Sequence, residues 1–378
     1  MSTGSLTFPD VPAMLRSLRP SRPVYCIHPG RYAEAAREFL AGFPGRVLYA
    51  VKANDDPRVL AILHGAGVTH FDCASLPEIE RVHEHCPGAK AYFMIPARLR
   101  GAAAAARTRF GVRHFMIDHA SGIASLAPEI ELAGTVVFAR MAATHPSAMQ
   151  ELSSKFGAPP DEVPALLEAI AAAGAEPALA FNVGTGVTSP EAYVHAIGLA
   201  RRVLERAGVR VRLVDVGGGF PKSYPGFPVP PLAEYFAAIR EAAAHLPLAD
   251  DGEIMGEPGR ALAAPGLSAV CEVLLRKEDR LYLNDGMYGI FWELRFRGHE
   301  RYPARAFREA RELTGETRPF RLFGPTCDAT DVLPGLVDLP ADIRPGDYIE
   351  FSDIGAYSLA GRTAFNGHYS DDVVIITP

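Results

Sequence analysis

The sequence predicts an α/β protein, a (β/α)8 barrel over residues 28–266 with a mainly β domain built from residues 1–27 and 267–378. Three observations carry the prediction. Short apolar runs recur eight times between residues 47 and 257, and Ala-, Glu- and Arg-rich stretches with helical spacing separate them. After about residue 266 the texture changes to alternating or clustered apolar runs divided by turn residues. A doubly wound sheet is disfavoured because no G-x-G-x-x-G turn follows the first run.

The eight runs are VLYAV (47–51), THFDCA (69–74), AYFMI (91–95), HFMID (114–118), TVVFARM (135–141), ALAFNV (178–183), VRLVDV (211–216) and EIMGE (253–257). Ser75-Leu76-Pro77-Glu78 reads as a capping box that opens a helix. Ser189-Pro190-Glu191 opens another, with Tyr193, Ile197, Ala200, Val203 and Leu204 on one face and Gly208 as its stop. Tyr224-Pro225-Gly226-Phe227-Pro228 and Val229-Pro230-Pro231 read as a barrel loop. Beyond the barrel, LSAVCEVLLR, RLYLNDG, RPFRLFG, DYIEFSDIGAY and DVVIITP are strand-like, with helix expected only near 303–313. PVYCI (23–27) is placed with that β domain.

Composition excludes several classes of partner. The chain has 378 residues, 48% apolar and 22% charged, which suits a large core, and two domains are expected. A net charge of -6 offers no basic face for a phosphate backbone, so nucleic acid is not a partner. The opening residues show no leader pattern, and no stretch approaches the ~20 apolar residues that cross a bilayer, so no membrane association and a cytoplasmic protein are expected. Five scattered cysteines without a C-x-x-C pair argue against a disulfide framework or a metal site.

In this architecture reactive groups sit where strands end. The residues there are Lys52, Asp72 with Cys73, Pro96, Asp118, Arg140, Asn182 with Gly184-Thr185-Gly186, Gly217-Gly218-Gly219, and Glu257-Pro258-Gly259-Arg260. Asp72 and Asp118 also suit helix N-caps, and Pro96 a plain loop. Two glycine runs leave backbone N–H groups uncovered for a phosphate, and Arg260 beside them adds a bidentate cation. A lysine at a strand end beside positive charge becomes an amine nucleophile toward an aldehyde, the alternative being an ion-paired barrel lysine. A phosphate cradle, an amine and a carboxylate able to meet a pyridinium nitrogen, Glu257, are the parts that hold pyridoxal 5'-phosphate.

Nine segments, in order, resemble the fold-type III pyridoxal-phosphate-dependent decarboxylases of basic amino acids, nearest to ornithine decarboxylase: AVKAN (50–54), FDCAS (71–75), SKFGA (154–158), FNVGTG (181–186), DVGGGFP (215–221), EPGR (257–260), NDGMYG (284–289), GPTCDATD (324–331) and DIGAYSLAGRTAFNG (353–367). The resemblance implies a barrel with a β domain, as in alanine racemase and ornithine decarboxylase, and decarboxylation of ornithine or lysine to putrescine or cadaverine. It implies that Lys52 condenses with the cofactor aldehyde and Glu257 binds the ring nitrogen. Asp72, Arg140, Asn182, Thr185, Gly217 to Gly219, Gly259, Arg260 and Tyr357 would complete the cofactor site. It further implies a homodimer with shared active sites, in which Cys327 protonates the α-carbon after carbon dioxide leaves and Asp328, with Phe365, faces the substrate. Lys155 and Asp331 match positions that join subunits.

The chain departs from that family in two places. Asn182 stands where a ring-stacking histidine is usual. Arg297 stands where an aspartate grips the distal ammonium, unless the register slips and Glu293 or Glu300 serves. Trp292, Leu294 and Phe296 alternate with Glu293, Arg295 and Arg297, as on a strand with one polar face. Two like charges at ~4 Å cost ~4 kcal/mol at an effective dielectric near ~20, so an arginine there also suits an acidic tail, as in diaminopimelate or a citrate-conjugated siderophore precursor. A racemase using Tyr288 or Tyr357 and a non-catalytic regulator of the antizyme-inhibitor kind are the further alternatives.

Overall fold

The computed structural model describes residues 6–377 apart from 297–300. They divide into two compact units, one of Ala36–Lys222 with Val229–Ala261, the other of residues 6–35, Ser223–Pro228 and the stretch from Leu262 onward.

In chain order the first elements are β1 (Thr7–Phe8), α1 (Val11–Leu18), β2 (Val24–Ile27) and α2 (Pro29–Gly42). Strand and helix then alternate: β3 (Arg46–Ala50), α3 (Pro57–Gly65), β4 (His70–Cys73), α4 (Leu76–His85), β5 (Lys90–Phe93), α5 (Ala102–Phe110), β6 (His114–Ile117) and α6 (Ser121–Leu126). They continue through β7 (Val136–Met141), α7 (Val163–Ala172), β8 (Glu176–Phe181), α8 (Glu191–Arg206), β9 (Leu213–Asp215), α9 (Leu232–Ala243) and β10 (Glu253–Gly256). β3 to β10 pair in parallel and in sequence, and β10 closes onto β3. Each of the eight expected runs is a strand of this barrel. Leu48, Tyr92, Met94, Met116, Phe138, Ala178, Ala180, Leu213 and Met255 fill its interior as one apolar cluster, so the barrel is packed and not a pore.

The expected helix signals act as read. Ser75 Oγ accepts from the Glu78 N–H at 3.3 Å, and the Glu78 carboxylate turns back to accept from the Ala74 N–H at 2.6 Å. Two orphan donors at the start of α4 are thus satisfied, a contribution of about 1 kcal/mol. The Gly208 N–H, just past α8, donates to Glu168 Oε1 at 2.9 Å.

The other unit follows α10 (Arg260–Ala263) and contains β11 (Leu267–Lys277), β12 (Arg280–Leu283), β13 (Ala304–Arg308), β14 (Arg311–Glu312), β15 (Thr317–Phe323), β16 (Val337–Pro340), β17 (Tyr348–Phe351) and β18 (Val373–Ile376). Among the described residues its strands run β1-β18-β2-β11-β12-β15-β16, with β17 bridging β11 to β13 and β14. PVYCI forms β2, antiparallel to β11 and parallel to β18, as expected. Val11, Met14 and Leu15 of α1 pack with Val24, Cys26, Val270 and Val374 beneath this sheet.

Two local expectations fail. The stretch 303–313 is the hairpin β13–β14, with Glu309 in the turn at φ +55°. Its helix-favouring composition yields to cross-strand pairing, because Arg305 meets the buried Glu350 at 2.5 Å and Arg308 holds the buried Asp347 at 3.0 Å. Trp292–Phe296 is a 3₁₀ turn and not a strand, with Glu293 buried; Trp292 N–H donates to Gly289 O and Leu294 N–H to Phe291 O. Five residues of alternation are too few to tell the two apart. Arg297 and Glu300 lie outside the described residues. Tyr224–Pro228 and Val229–Pro231 connect β9 to α9, as expected of a barrel loop, and Ser223–Pro228 group with the sheet-bearing unit, where the Tyr224 hydroxyl donates to Asp353 O at 3.2 Å and its ring meets Tyr302 edge-on.

Among the described residues no helix is long and apolar enough to cross a membrane. Three histidines are held neutral by burial: His28, bonded to Ser268 at 2.9 Å and lowered to about 4; His70, near the Tyr92 hydroxyl and lowered to about 4; and His114, stacked on Tyr92 and lowered to about 3. Arg31 next opposes the charged form of His28, and Arg46 that of His70 and His114. A base whose folded pKa is depressed binds fewer protons when folded, so its contribution is complete above ~6.5 and is lost as pH falls from there toward ~4. Denaturation midpoints should therefore drop between pH 7 and pH 4.5, and His114→Gln should flatten that slope.

Candidate active site

Alternation along the strands continues the apolar layer into a polar one. Phe138 leads to Arg140, Ala180 to Asn182, Leu213 to Asp215 and Met255 to Glu257, each two residues on and on the same face. The arrangement is tied at the strand ends: Glu257 N–H donates to Gly217 O at 2.8 Å and Ala50 N–H to Pro258 O at 3.1 Å.

Lys52 lies in a 3₁₀ turn, Val51–Ala53, that ends β3. Its Nζ donates to Asp72 Oδ2 at 2.9 Å; the lysine side chain is 45% exposed, whereas the aspartate is 2% exposed. This is the ion-paired arrangement that stood as the alternative for this lysine. Asp72 caps no helix, since Ser75 caps α4. Asp118 accepts from the Gly157 N–H at 3.0 Å and pins the SKFGA segment. There Ala158 N–H donates to Arg140 O at 2.8 Å, and the Arg140 guanidinium lies 5.7 Å from the Phe156 ring centre.

Glu257 is buried, and its Oε1 has no hydrogen-bond partner. Burial, then the charges of Asp215 and Asp72, push its carboxyl well above the usual range, against the pull of Lys52 and Arg140. Asp215 was not among the expected site residues. It is fully buried, accepts from the Gly217 N–H at 2.8 Å through Oδ1 and leaves Oδ2 without a partner; burial raises its carboxyl too. The signal for it was available, a carboxylate as the last residue of a buried strand just before three glycines.

The glycine loop follows from close backbone approach. Gly217 and Gly219 have φ of +73° and +99°, and a Cβ on Gly218 or Gly219 would come within 2.7 Å of Glu257 O or 2.6 Å of Gly184 O. Tyr193 supports the loop from below, its hydroxyl donating to Gly218 O at 2.8 Å. Two expected cradle donors are already spent, Gly217 N–H on Asp215 and Thr185 N–H on Gln150 O at 3.0 Å. The N–H groups of Gly218 and Gly219 have no acceptor among the described residues. Asn182 turns its amide oxygen to the Gly184 N–H at 3.0 Å. Gly259 and Arg260 are buried where α10 begins. A partnerless buried carboxylate oxygen, an amine, and open glycine N–H groups on a loop with no room for side chains fit pyridoxal phosphate.

The remaining expected residues, Lys155 apart, are in the other unit. Cys327 is exposed, its thiol 3.4 Å from Asn366 Oδ1. Asp328 accepts from the Tyr288 hydroxyl through Oδ2 and from the Thr330 N–H and hydroxyl at 2.8 and 2.9 Å through Oδ1. The Tyr288 bond, then those from Thr330, hold its carboxyl below the usual range. Tyr288 stacks on Phe365 at 4.4 Å on one side, and the Arg295 guanidinium lies 4.3 Å from its ring centre. Tyr357 is half-buried at φ +55°. Lys155 is exposed, and Asp331 is 2% exposed and takes the Met287 N–H and the Thr326 N–H and hydroxyl.

The family described as "Pyridoxal-dependent decarboxylase, pyridoxal binding domain" matches residues 30–264. The chain belongs to this family, and is thus a carboxy-lyase that uses pyridoxal phosphate. It is 34% identical to the lysine/ornithine decarboxylase of Selenomonas ruminantium over 340 residues, 87% of this chain and 83% of that one. Among solved structures it resembles the arginine decarboxylase of Paramecium bursaria Chlorella virus, with TM-score 0.86, 26% identity, and 96% and 98% of the two chains covered. It also resembles the lysine/ornithine decarboxylase of Vibrio vulnificus complexed with cadaverine, with TM-score 0.84, 27% identity and 97% of each chain covered.

Gly219→Ala should lower stability by about 1–3 kcal/mol, because it adds a side chain at positive φ against a backbone carbonyl. It should also weaken cofactor binding at least tenfold, as read by fluorescence titration alongside urea denaturation.

Proposed function

We propose that this chain decarboxylates ornithine or lysine, releasing carbon dioxide and putrescine or cadaverine. The observation that carries the reading is Lys52 paired with Asp72 in a barrel that also presents the partnerless Oε1 of Glu257. Its likeness to the two lysine/ornithine decarboxylases supports the choice of substrate.

Pyridoxal phosphate, when bound, supplies the electron sink that makes loss of an α-carboxylate feasible. Lys52 offers the amine, and its pairing with Asp72 fixes where Nζ stands. Glu257 would accept from the ring N–H and so favour the protonated ring. Gly218, Gly219 and Arg260 would hold the phosphate, by N–H groups and by charge. Arg140, braced on Phe156, directs a cation toward the same carboxylates.

The reading includes a homodimer in which the partner subunit's Cys327 hands its Sγ proton to the α-carbon. What supports it is an exposed thiol beside Asn366, whose neighbour Phe365 is 40% exposed. A free exposed thiol also suits a reducing compartment such as the cytoplasm. A second reading, an amino acid with an acidic or amide tail, is favoured by one observation: Asp328 is already engaged by Tyr288 and Thr330, and Arg295 lies over Tyr288.

Carbon dioxide release from a panel with cationic, neutral and acidic tails decides between these readings; turnover of the cationic members is expected, and release from an acidic one alone would replace the first reading by the second. Lys52→Ala should abolish release, and Glu257→Gln should cut it at least a hundredfold while some cofactor stays bound. Mixing inactive Lys52→Ala and Cys327→Ala chains should restore activity through hybrid dimers with one intact site. Failure to restore it would remove the shared site.

A further inference from the structure

Asp215 is a buried carboxylate that the decarboxylation reading leaves without a task. It ends β9, is 0% exposed, and its register partner across the sheet is Met255, two residues before Glu257 on the same face. The two carboxylates are joined through Gly217, whose N–H binds Asp215 Oδ1 and whose carbonyl accepts from the Glu257 N–H at 2.8 Å. Each turns one oxygen, Asp215 Oδ2 and Glu257 Oε1, into the interior with no partner, and so does Asp72 with Oδ1. Asp72, Lys52 and Arg140 are charged groups that act on this pair, Arg260 is buried three residues beyond Glu257, and Tyr92 feels the Asp215 charge from β5. Asp72, the third acid, is paired with Lys52. Two buried carboxylates this close do not both ionise without an added positive charge.

We propose that Asp215 is a positioning residue that keeps one proton shared with Glu257 in the cofactor-free barrel, and that entry of a protonated pyridine ring expels that proton to solvent. The balance is simple. The pair carries one proton and one negative charge before binding; afterwards the ring N–H⁺ faces Glu257 carboxylate, Asp215 is ionised, and one H⁺ has gone to buffer. No bond to carbon changes and no electron moves. Burial and mutual repulsion, which raise both carboxyls, support the shared proton. The inference rests on Glu257 being the group that meets the ring nitrogen.

The test uses the full chain dialysed free of cofactor and pyridoxine 5'-phosphate, whose alcohol in place of the aldehyde cannot condense with Lys52. Calorimetry near pH 7 in two buffers of different ionisation enthalpy counts the protons exchanged on binding. About one proton released per site is expected for the wild type, and less than half of that for Asp215→Asn, which keeps an oxygen for the Gly217 N–H but cannot share a charge. Tight binding with no proton released, or undiminished release from Asp215→Asn, overturns the proposal and leaves the site assignment standing. No binding by the wild type overturns both. Should Asp215→Asn not fold, the wild-type proton count alone still decides.

Discussion

The site depends on the burial of carboxylates at the barrel's strand ends. Asp72, Asp215 and Glu257 are all nearly or fully buried, and Lys52 and Arg140 are among the cations that act on them. An uncompensated buried carboxylate is costly, so each must keep a proton or meet a positive charge. A protonated heterocycle is one group able to meet that demand.

The cluster is held by features that carry no charge themselves. An apolar layer from Leu48 round to Met255 closes the barrel beneath it, so water cannot reach the carboxylates from below. Close packing of the Gly217–Gly219 loop on the Glu257 and Gly184 carbonyls leaves its free N–H groups at the surface of the site. Asp118, through Gly157 and the SKFGA segment, holds Phe156 beneath Arg140. Positions far apart in sequence thus act on one carboxylate because the barrel's register brings them to one level.

Much of this was legible beforehand. The barrel strands are short buried runs, and a run buried on both faces has a signature that does not depend on its neighbours. The Ser75–Glu78 box and the Gly208 stop are local chemistry and behaved locally. Lys52, Asp72, Arg140 and Glu257 are legible as strand-end residues, where this architecture places reactive groups. Asp215 was passed over since it reads as one more residue of an apolar run. The stretches 292–296 and 303–313 were misread for the opposite reason. Their local propensity is weak or contrary, and the deciding partners, Gly289, Asp347 and Glu350, lie outside the segment.

The sequence by itself determined the order of strands and helices, the closing of eight parallel strands into a barrel, and the identity of the lysine, carboxylates and glycines offered to the cofactor. Those properties follow from hydrophobic period, turn chemistry and side-chain type, which are written residue by residue. Only the tertiary structure decided that Lys52 pairs with Asp72, that Gly217 and Thr185 spend their N–H groups elsewhere, and that Asp215 joins Glu257 through Gly217. Each of these depends on distances across strands, where a shift of one residue would turn the side chain to the opposite face.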